Sequence, residues 1–152
     1  MNKEDVITII SNRMKLIRNE NNYTQDKMAE ILGISKKTLV QIEKGRTSAT
    51  WTCVVATCCL FSHSEIIQSK LGNEPLEVIE TLAHERIVSP KEKTMGGKVW
   101  WKTIKKDQTF ILQQNIISQH YRIIDTDHYR WFSSFDKDEA VRYFNDLIHQ
   151  ID

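Results

Sequence analysis

The sequence predicts a mainly α N-terminal domain of five helices followed by a small α+β domain, an antiparallel sheet of three or four strands with a C-terminal helix. Three observations support this fold class. Apolar residues recur with a helical period as far as Gly72. Beyond residue 97, β-branched and aromatic residues dominate, as they do in strands. The 152 residues suffice for two small domains of roughly 60–80 residues each.

The first three helices each show a stripe of apolar residues and an end signal. The first is expected over Val6–Ile17 and ends in the polar string RNENNY. Thr24 is a suitable N-cap for the second helix, and Gly33 can end it with a positive φ. Ser35 caps the third helix, which Gly45 ends. The stripes are Val6, Ile9, Ile10, Met14, Leu16 and Ile17; then Met28, Ala29, Ile31 and Leu32; then Leu39 and Ile42.

Two further helices complete the first domain, which is predicted to span residues 1–72. Thr50 begins the fourth helix through WTCVVATCCLF, and SEIIQSKLG forms the fifth. Residues 73–97 are predicted to be a helix with Pro75 in its first turn, followed by the linker SPKEKTMGG. Residues 98–152 are predicted to form the second domain.

The second domain is predicted from four extended segments and a final helix. The segments are KVWWKTIKK, TFILQQN, HYRII and YRWFSSF. Strand residues alternate in direction, so Trp100 and Trp101 are expected on opposite faces, with Lys105 on the side of Trp101. Asp136 opens the final helix, with Glu139 three residues on as a capping box. The stripe of that helix is Ala140, Phe144, Leu147, Ile148 and Ile151.

Charge is distributed unevenly along the chain. The net charge is +1, but residues 1–72 hold ten Lys and Arg against seven Asp and Glu, and the remainder holds eleven against thirteen. A basic island lies within this acidic remainder, although such runs are most often solvated surface. Its members are Lys91, Lys93, Lys98, Lys102, Lys105 and Lys106.

Composition and terminal pattern favour a cytoplasmic protein. The segment MNKEDVITII carries carboxylates and no long apolar core, so no signal peptide is expected. No run approaches the roughly 18 apolar residues of a membrane span. The three cysteines are odd in number and clustered on one predicted helix, which argues against a disulfide framework and for a reducing compartment.

Catalytic and metal-binding patterns are not evident. Cys53, Cys58 and Cys59 do not share a helix face, and only His63 is nearby, so buried small hydrophobes are favoured over a thiol sensor or a zinc site. The other histidines are scattered, without a carboxylate pair or a nucleophile: His84, His120, His128 and His149. We therefore expect no enzyme activity, no cofactor and no metal site.

The helix pair around Gly33 carries the functional signal. Its turn, LGIS, is short, so the two helices are expected to cross at a steep angle. With the packing residues set aside, the outward face of the third helix bears cations, a threonine and an amide. In the major groove, lysine can donate to guanine acceptors, glutamine can make a two-point contact with adenine, and the threonine methyl can touch thymine. The base-reading residues are predicted to be Lys36, Lys37, Thr38 and Gln41. Phosphate contacts are predicted for Thr24, Gln25, Lys44, Arg46, Thr47 and Ser48.

The spacing of these residues matches a known family. The motif runs through Thr24–Gln25, Met28–Ala29, Leu32–Gly33–Ile34–Ser35, Thr38–Leu39 and Ile42–Glu43–Lys44–Gly45. On these residues, positions 12–72 resemble the lambda-repressor-like helix-turn-helix domain of the Cro/CI family of bacterial and phage regulators, also called the xenobiotic-response-element type. The resemblance implies five helices, a third helix that reads bases, and a Gln25 that braces both a phosphate and that helix. Val40 and Trp51 depart from the usual residues of the family.

The expected function is therefore a sequence-specific regulator of transcription, bacterial or phage-encoded. We expect a repressor that binds double-stranded DNA through the helix Ser35–Lys44. One reading helix covers only a few base pairs, so a homodimer on an inverted-repeat operator is expected. The alternative is an antitoxin-like regulator, whose C-terminal domain binds a protein partner while the helix-turn-helix autoregulates.

Three roles remain open for the second domain: dimerisation or partner binding, a second DNA contact, and the sensing of a small effector. The segment SSFDKDEAVRYF resembles the sheet-plus-helix modules of phage integrases, which place a three-stranded sheet on DNA. The residues predicted for a second nucleic-acid or partner surface are Lys98, Trp100, Lys102, Lys105 and Lys106.

Overall fold

The computed structural model describes residues 1–85 and 100–151, and only the backbone of residue 151. Contacts divide the chain into two compact units, Met1–Ser89 and Pro90–Asp152. The predicted linker SPKEKTMGG and the predicted strand residues Lys98 and Val99 lie outside the described residues.

The described part of the first unit consists of helices joined by short turns and loops. Its helices are α1 (Lys3–Ser11), α2 (Met14–Glu20), α3 (Gln25–Leu32), α4 (Lys36–Glu43), α5 (Trp51–Leu60), α6 (Glu65–Leu71) and α7 (Pro75–His84). They share one core, in which Ile10, Met14, Ile17, Met28 and Leu39 are fully buried. No helix in the described part of the chain is long and apolar enough to cross a membrane.

Hydroxyl caps fix where several of these helices begin. The side chains of Thr24, Ser35, Thr50 and Ser64 each accept a hydrogen bond from the backbone N–H three residues later, at the starts of α3, α4, α5 and α6. The predicted caps of the two helices around Gly33 are thereby confirmed.

The predicted helix Val6–Ile17 is wrong in one respect, because it is two helices. The chain breaks at Asn12–Arg13, where Arg13 leaves the helical region with φ −115° and ψ 4°. The buried stripe of Val6, Ile10, Met14 and Ile17 continues across the break, but Leu16 points outward and is 54% exposed. Apolar spacing therefore identified the buried side without revealing the interruption. Six helices precede Gly72, and α2–α6 are the five that fall within residues 12–72.

Helix α7 packs within the first unit. It contacts α5 and α6, and its Ile79 is 4% exposed in the same core as the preceding helices. The sequence-based division set residues 73–97 apart from the first domain, whereas packing joins the helix of that segment to it.

The second unit is an antiparallel meander covered by one helix. Its strands are β1 (Trp101–Lys106), β2 (Phe110–Asn115), β3 (Tyr121–Asp125) and β4 (Arg130–Ser134), in the order β1-β2-β3-β4, followed by α8 (Lys137–Ile151). A second core lies between the sheet and the helix, and its buried members are Phe110, Leu112, Tyr121, Ile123, Ala140, Phe144 and Leu147. The predicted α+β arrangement is confirmed, with four strands.

A bulge in β1 changes which face some of its residues occupy. Thr103 pairs with Gln113, but Lys105 pairs with Leu112, so one extra residue is accommodated between them. Lys105 consequently lies on the α8 side with Leu112, and the prediction that it shares the side of Trp101 is wrong. Trp100 precedes β1 and is 54% exposed.

The start of α8 forms only half of the predicted capping box. The carboxylate of Asp136 accepts the backbone N–H of Glu139 at 3.1 Å, as predicted. The Glu139 carboxylate instead accepts the hydroxyl of Ser134 at 2.8 Å, and that same hydroxyl oxygen accepts the backbone N–H of Asp136. The cap is thus tied to the end of β4.

Candidate nucleic-acid interface

Helices α3 and α4 form the turn that the sequence predicted. Gly33 adopts φ 71° and ψ 30°, a left-handed conformation that ends α3. The backbone N–H of Ile34 then donates to the carbonyl of Ala29 at 3.0 Å, which closes the turn. Ser35 starts α4 immediately afterwards, so the second helix leaves the turn in a fixed direction.

The inward side of α4 determines which residues can point outward. Leu39, Ile42 and the Glu43 side chain are buried. Since each helical residue turns by about 100°, the opposite side is centred on Lys37, Gln41 and Lys44. Of these, Lys37 and Lys44 are exposed and Gln41 is half-buried. Val40, also half-buried, lies next to this stripe.

Two of the predicted base-reading residues are engaged by neighbouring side chains. The ammonium of Lys36 lies 3.3 Å from the Asp26 carboxylate of α3, and both side chains are more than half exposed. The hydroxyl of Thr38 is 2.8 Å from that of Ser35. The sequence around the start of α4 contains no carboxylate. Asp26, which belongs to the preceding helix, is brought to Lys36 only by the fold.

A buried ion pair holds the end of α4 against α2. The Arg18 guanidinium donates to the Glu43 carboxylate at 2.8 and 3.1 Å, and their side chains are 13% and 3% exposed. Arg18 also donates to the carbonyl of Tyr23 at 3.0 Å, and Gln25 donates to Glu43 at 3.4 Å. Three helices are thereby joined at one carboxylate. The bracing of the reading helix by Gln25, implied by the resemblance, has this contact as its structural counterpart.

Sequence reasoning missed the part played by Arg18 and Glu43. The sequence pattern identifies Glu43 only as a position of the family motif, and Arg18 only as one of the polar residues that end a helix. The available signal was the position of Glu43, four residues after Leu39 on the inward side of α4, because a buried carboxylate requires a cationic or hydrogen-bonding partner.

The segment after α4 presents further polar groups. Gly45 has φ 71°, and the N–H of Arg46 donates to the carbonyl of Gln41 at 3.0 Å, so the chain reverses directly after the helix. Arg46, Thr47 and Ser48 are exposed. The loop is then anchored by Ala49, whose backbone N–H donates to the buried Ser11 hydroxyl at 2.9 Å.

The exposed polar groups at the start of α3 lie at the other end of the motif. Thr24 is exposed, and its hydroxyl accepts the N–H of Lys27 at 3.1 Å. Gln25 is half-buried by its position beside Glu43. Exposed polar side chains therefore lie before α3 and after α4 along the chain, and groups of this kind contact a DNA backbone.

The cysteines follow the expectation in part. Cys53 and Cys58 are buried, whereas Cys59 is exposed and so is not a core residue. Burial, with the neighbouring Cys59 as a second cause, raises the pKa of the Cys58 thiol from 9.0 to about 11, so that thiol stays protonated near neutral pH. Burial also raises the pKa of Cys53. Residues 1–85 and 100–151 contain no group of three or more side chains placed to hold a metal ion.

The residues predicted for a second surface do not form one face. Trp100, Lys102, Lys105 and Lys106 are exposed, and Lys98 lies outside the described residues. Register places Lys102 and Lys105 on the α8 side of the sheet and Lys106 on the other side.

Helices α3 and α4 form a helix-turn-helix. The inward side of α4 is held by Arg18 and Gln25, and its outward side presents lysine and glutamine, as in DNA-binding modules. Comparison with protein families agrees: residues 11–55 match the family described as "Helix-turn-helix domain". The match runs from the end of α1 into α5 and contains the whole α3–α4 motif. Searches of curated proteins and of solved structures find no match. Motif and family match together indicate a DNA-binding regulator.

Proposed function

We propose that this protein is a Cro/CI-type repressor that binds an inverted-repeat operator as a homodimer, with α4 in the major groove. The observation that carries the proposal is the division of α4 into two sides. Glu43 is fixed inside by Arg18 and Gln25, and Lys37 and Gln41 face outward. A bacterial or phage protein acting in the cytoplasm would meet its operator there.

Base reading is assigned mainly to the centre of the outward stripe. Lys37 can donate to the acceptors of guanine, and Gln41 can make a two-point contact with adenine. Val40 adds an apolar surface that suits the methyl group of thymine. Lys36 and Thr38 would join them by exchanging their contacts with Asp26 and Ser35 for contacts with DNA.

Phosphate contacts are assigned to the two ends of the motif. Thr24 and Gln25 lie at the start of α3, where free amides and the helix dipole favour an anion. Lys44, Arg46, Thr47 and Ser48 lie at the end of α4 and beyond it. Such contacts supply affinity and register without distinguishing sequences.

Two variants of the full chain test these assignments. Fragments of the source genome bound by the wild-type protein would first be selected. Gln41→Ala should weaken the selected sites by about 1–3 kcal/mol and reduce discrimination between sites, since it removes a base contact. Arg46→Ala should weaken all duplexes alike and lower the slope of log K against log salt by about 1, since it removes a phosphate contact.

Lys70→Ala is the matched control, because Lys70 is an exposed cation on α6, outside the helix-turn-helix. It should leave both the selectivity and the salt slope near their wild-type values. Selection of no genomic fragment at moderate salt, or equal effects of all three substitutions, would contradict the proposal.

A further inference from the structure

One face of the sheet in the second unit carries cations and no carboxylate. This basic face is the side opposite α8, as defined by strand register, because the core residues Phe110, Leu112 and Ile123 point to the other side. Its members are Trp101, Thr103, Lys106, Ile111, Gln113, Asn115, Arg122, Ile124, Arg130 and Ser133.

Two of its cations stand at the ends of one row across the sheet. Lys106 pairs with Ile111, Ile111 with Ile124, and Ile124 with Arg130. Both Lys106 and Arg130 are exposed. Three inter-strand spacings separate their backbones by about 14 Å, similar to the roughly 12 Å width of the major groove.

The third cation lies in a neighbouring row, on β3, where two side chains hold it in place. The Arg122 guanidinium lies 3.6 Å from the centre of the Trp101 ring, and its Nε donates to Gln113 at 2.9 Å. Partial burial, and after it the positive charge of Arg130, lowers the pKa of Arg122. Among the described residues, every ion pair lies in the first unit, so these three cations have no carboxylate partner there.

Among the described residues, none of the carboxylates of the second unit lies on this face by strand register. Asp107 and Asp125 accept backbone N–H groups in their own turns. Asp127 lies in the second of those turns, and Asp136, Asp138, Glu139 and Asp146 lie at the start of α8 or along it. On the basic face the described cations are therefore not accompanied by a carboxylate, whereas α8 carries both charges: Lys137 and Arg142 beside Asp138, Glu139 and Asp146.

We propose that the basic face binds the phosphate backbone of duplex DNA as a contact additional to that of α4. Three cations on one sheet face, without a carboxylate partner among the described residues, complement an array of phosphates, and each phosphate contact adds affinity by releasing counterions. The proposal extends the proposed function and does not depend on it. Of the residues predicted for a second surface it keeps Lys106, and it adds Arg122 and Arg130, so that the three cations lie on three strands.

The test compares two double variants of the full chain that lose the same charge. Lys106→Ser/Arg130→Ser removes two exposed cations from the basic face. Lys137→Ser/Arg142→Ser removes two exposed cations from α8. Binding to a 30-base-pair duplex of mixed sequence would be measured across a salt series, with thermal unfolding to confirm that each variant is folded.

We expect the basic-face variant to lower the slope of log K against log salt by about 2, because two phosphate contacts are lost, and the α8 variant to leave it unchanged. Equal slopes for the two double variants would overturn the proposal. Arg46→Ala separates the two DNA sites. If it lowers the slope and the basic-face variant does not, this inference fails and the proposed function stands. The reverse result would reject the helix-turn-helix contact and support the basic face.

Discussion

At the scale of single residues, Glu43 joins the end of α4 to α2 and α3. Its carboxylate is 3% exposed and bonded to Arg18 and Gln25. Removing one member of a buried ion pair leaves the other charge without compensation, at a cost of about 3–5 kcal/mol. We predict that Glu43→Ala lowers the free energy of unfolding by about this amount, as measured by urea denaturation.

Two controls distinguish the buried pair from charge in general. Lys27→Ala breaks the exposed Lys27–Glu30 pair, at 3.7 Å, and should change stability by about 0.5 kcal/mol or less. Arg18→Met/Glu43→Met removes both buried charges and should cost less than Glu43→Ala alone. If the double substitution proves more damaging than Glu43→Ala, an unpaired Arg18 is not the source of the loss.

The sequence predicted the exposed side of α4 better than the contacts of its residues. Lys37 is exposed as expected, because helical period alone places it opposite Leu39 and Ile42. Lys36 is also exposed, but its partner Asp26 belongs to another helix and is ten residues away along the chain. Contacts of this kind depend on how two helices cross, which local pattern does not specify.

At the scale of elements, the turn between α3 and α4 depends on the backbone of Gly33. Its φ is 71°, and a Cβ added there would meet no atom within 4 Å, so a substitution would strain the backbone without a clash. We predict that Gly33→Ala lowers the free energy of unfolding by about 1–2 kcal/mol, measured by urea denaturation.

Gly33→Asn is the matched variant, since asparagine adopts left-handed conformations more readily than alanine. It should lie between wild type and Gly33→Ala. Both variants, once folded, should keep the DNA affinity of the wild type, because the side chain at this position meets nothing. Equal losses for alanine and asparagine would show that the left-handed backbone is not the cause.

Element boundaries were predictable where side chains mark them and were missed where they do not. The hydroxyls of Thr24 and Ser35 predict the starts of α3 and α4, because both residues are typical N-caps. The break at Asn12–Arg13 was missed because the buried stripe of Val6, Ile10 and Met14 has a helical period on both sides of it. The β1 bulge was missed similarly, because its register depends on the partner strand and not on the alternation within β1.

At the scale of the whole molecule, the change of period predicted the division into a helical part and a sheet part. The packed core of the first unit extends further along the chain than the sequence-based boundary at residue 72, because Ile79 of α7 belongs to it. The basic face could not have been predicted from the lysine run, since its cations come from β1, β3 and β4 and meet only through the order of the strands.

The proposed homodimer makes a prediction about how many copies of the chain bind one operator. A single α4 reads only a few base pairs, whereas two copies related by a twofold axis read an inverted repeat with half-sites about 34–36 Å apart. We predict a footprint of two protected segments about 10 base pairs apart. A fragment with one half-site should bind about 100-fold more weakly, because the second contact is then lost.

Inserting five base pairs between the half-sites offers a sharper test, because it turns one major groove to the opposite side of the duplex while leaving both half-sites intact. A dimer that binds through two fixed reading helices should lose nearly all of the gain from the second half-site, to about the affinity of the single half-site fragment. Sedimentation equilibrium of the complexes would measure the stoichiometry directly. A strict monomer on both fragments, with affinity indifferent to the insertion, would show that one copy of the chain recognises its operator alone.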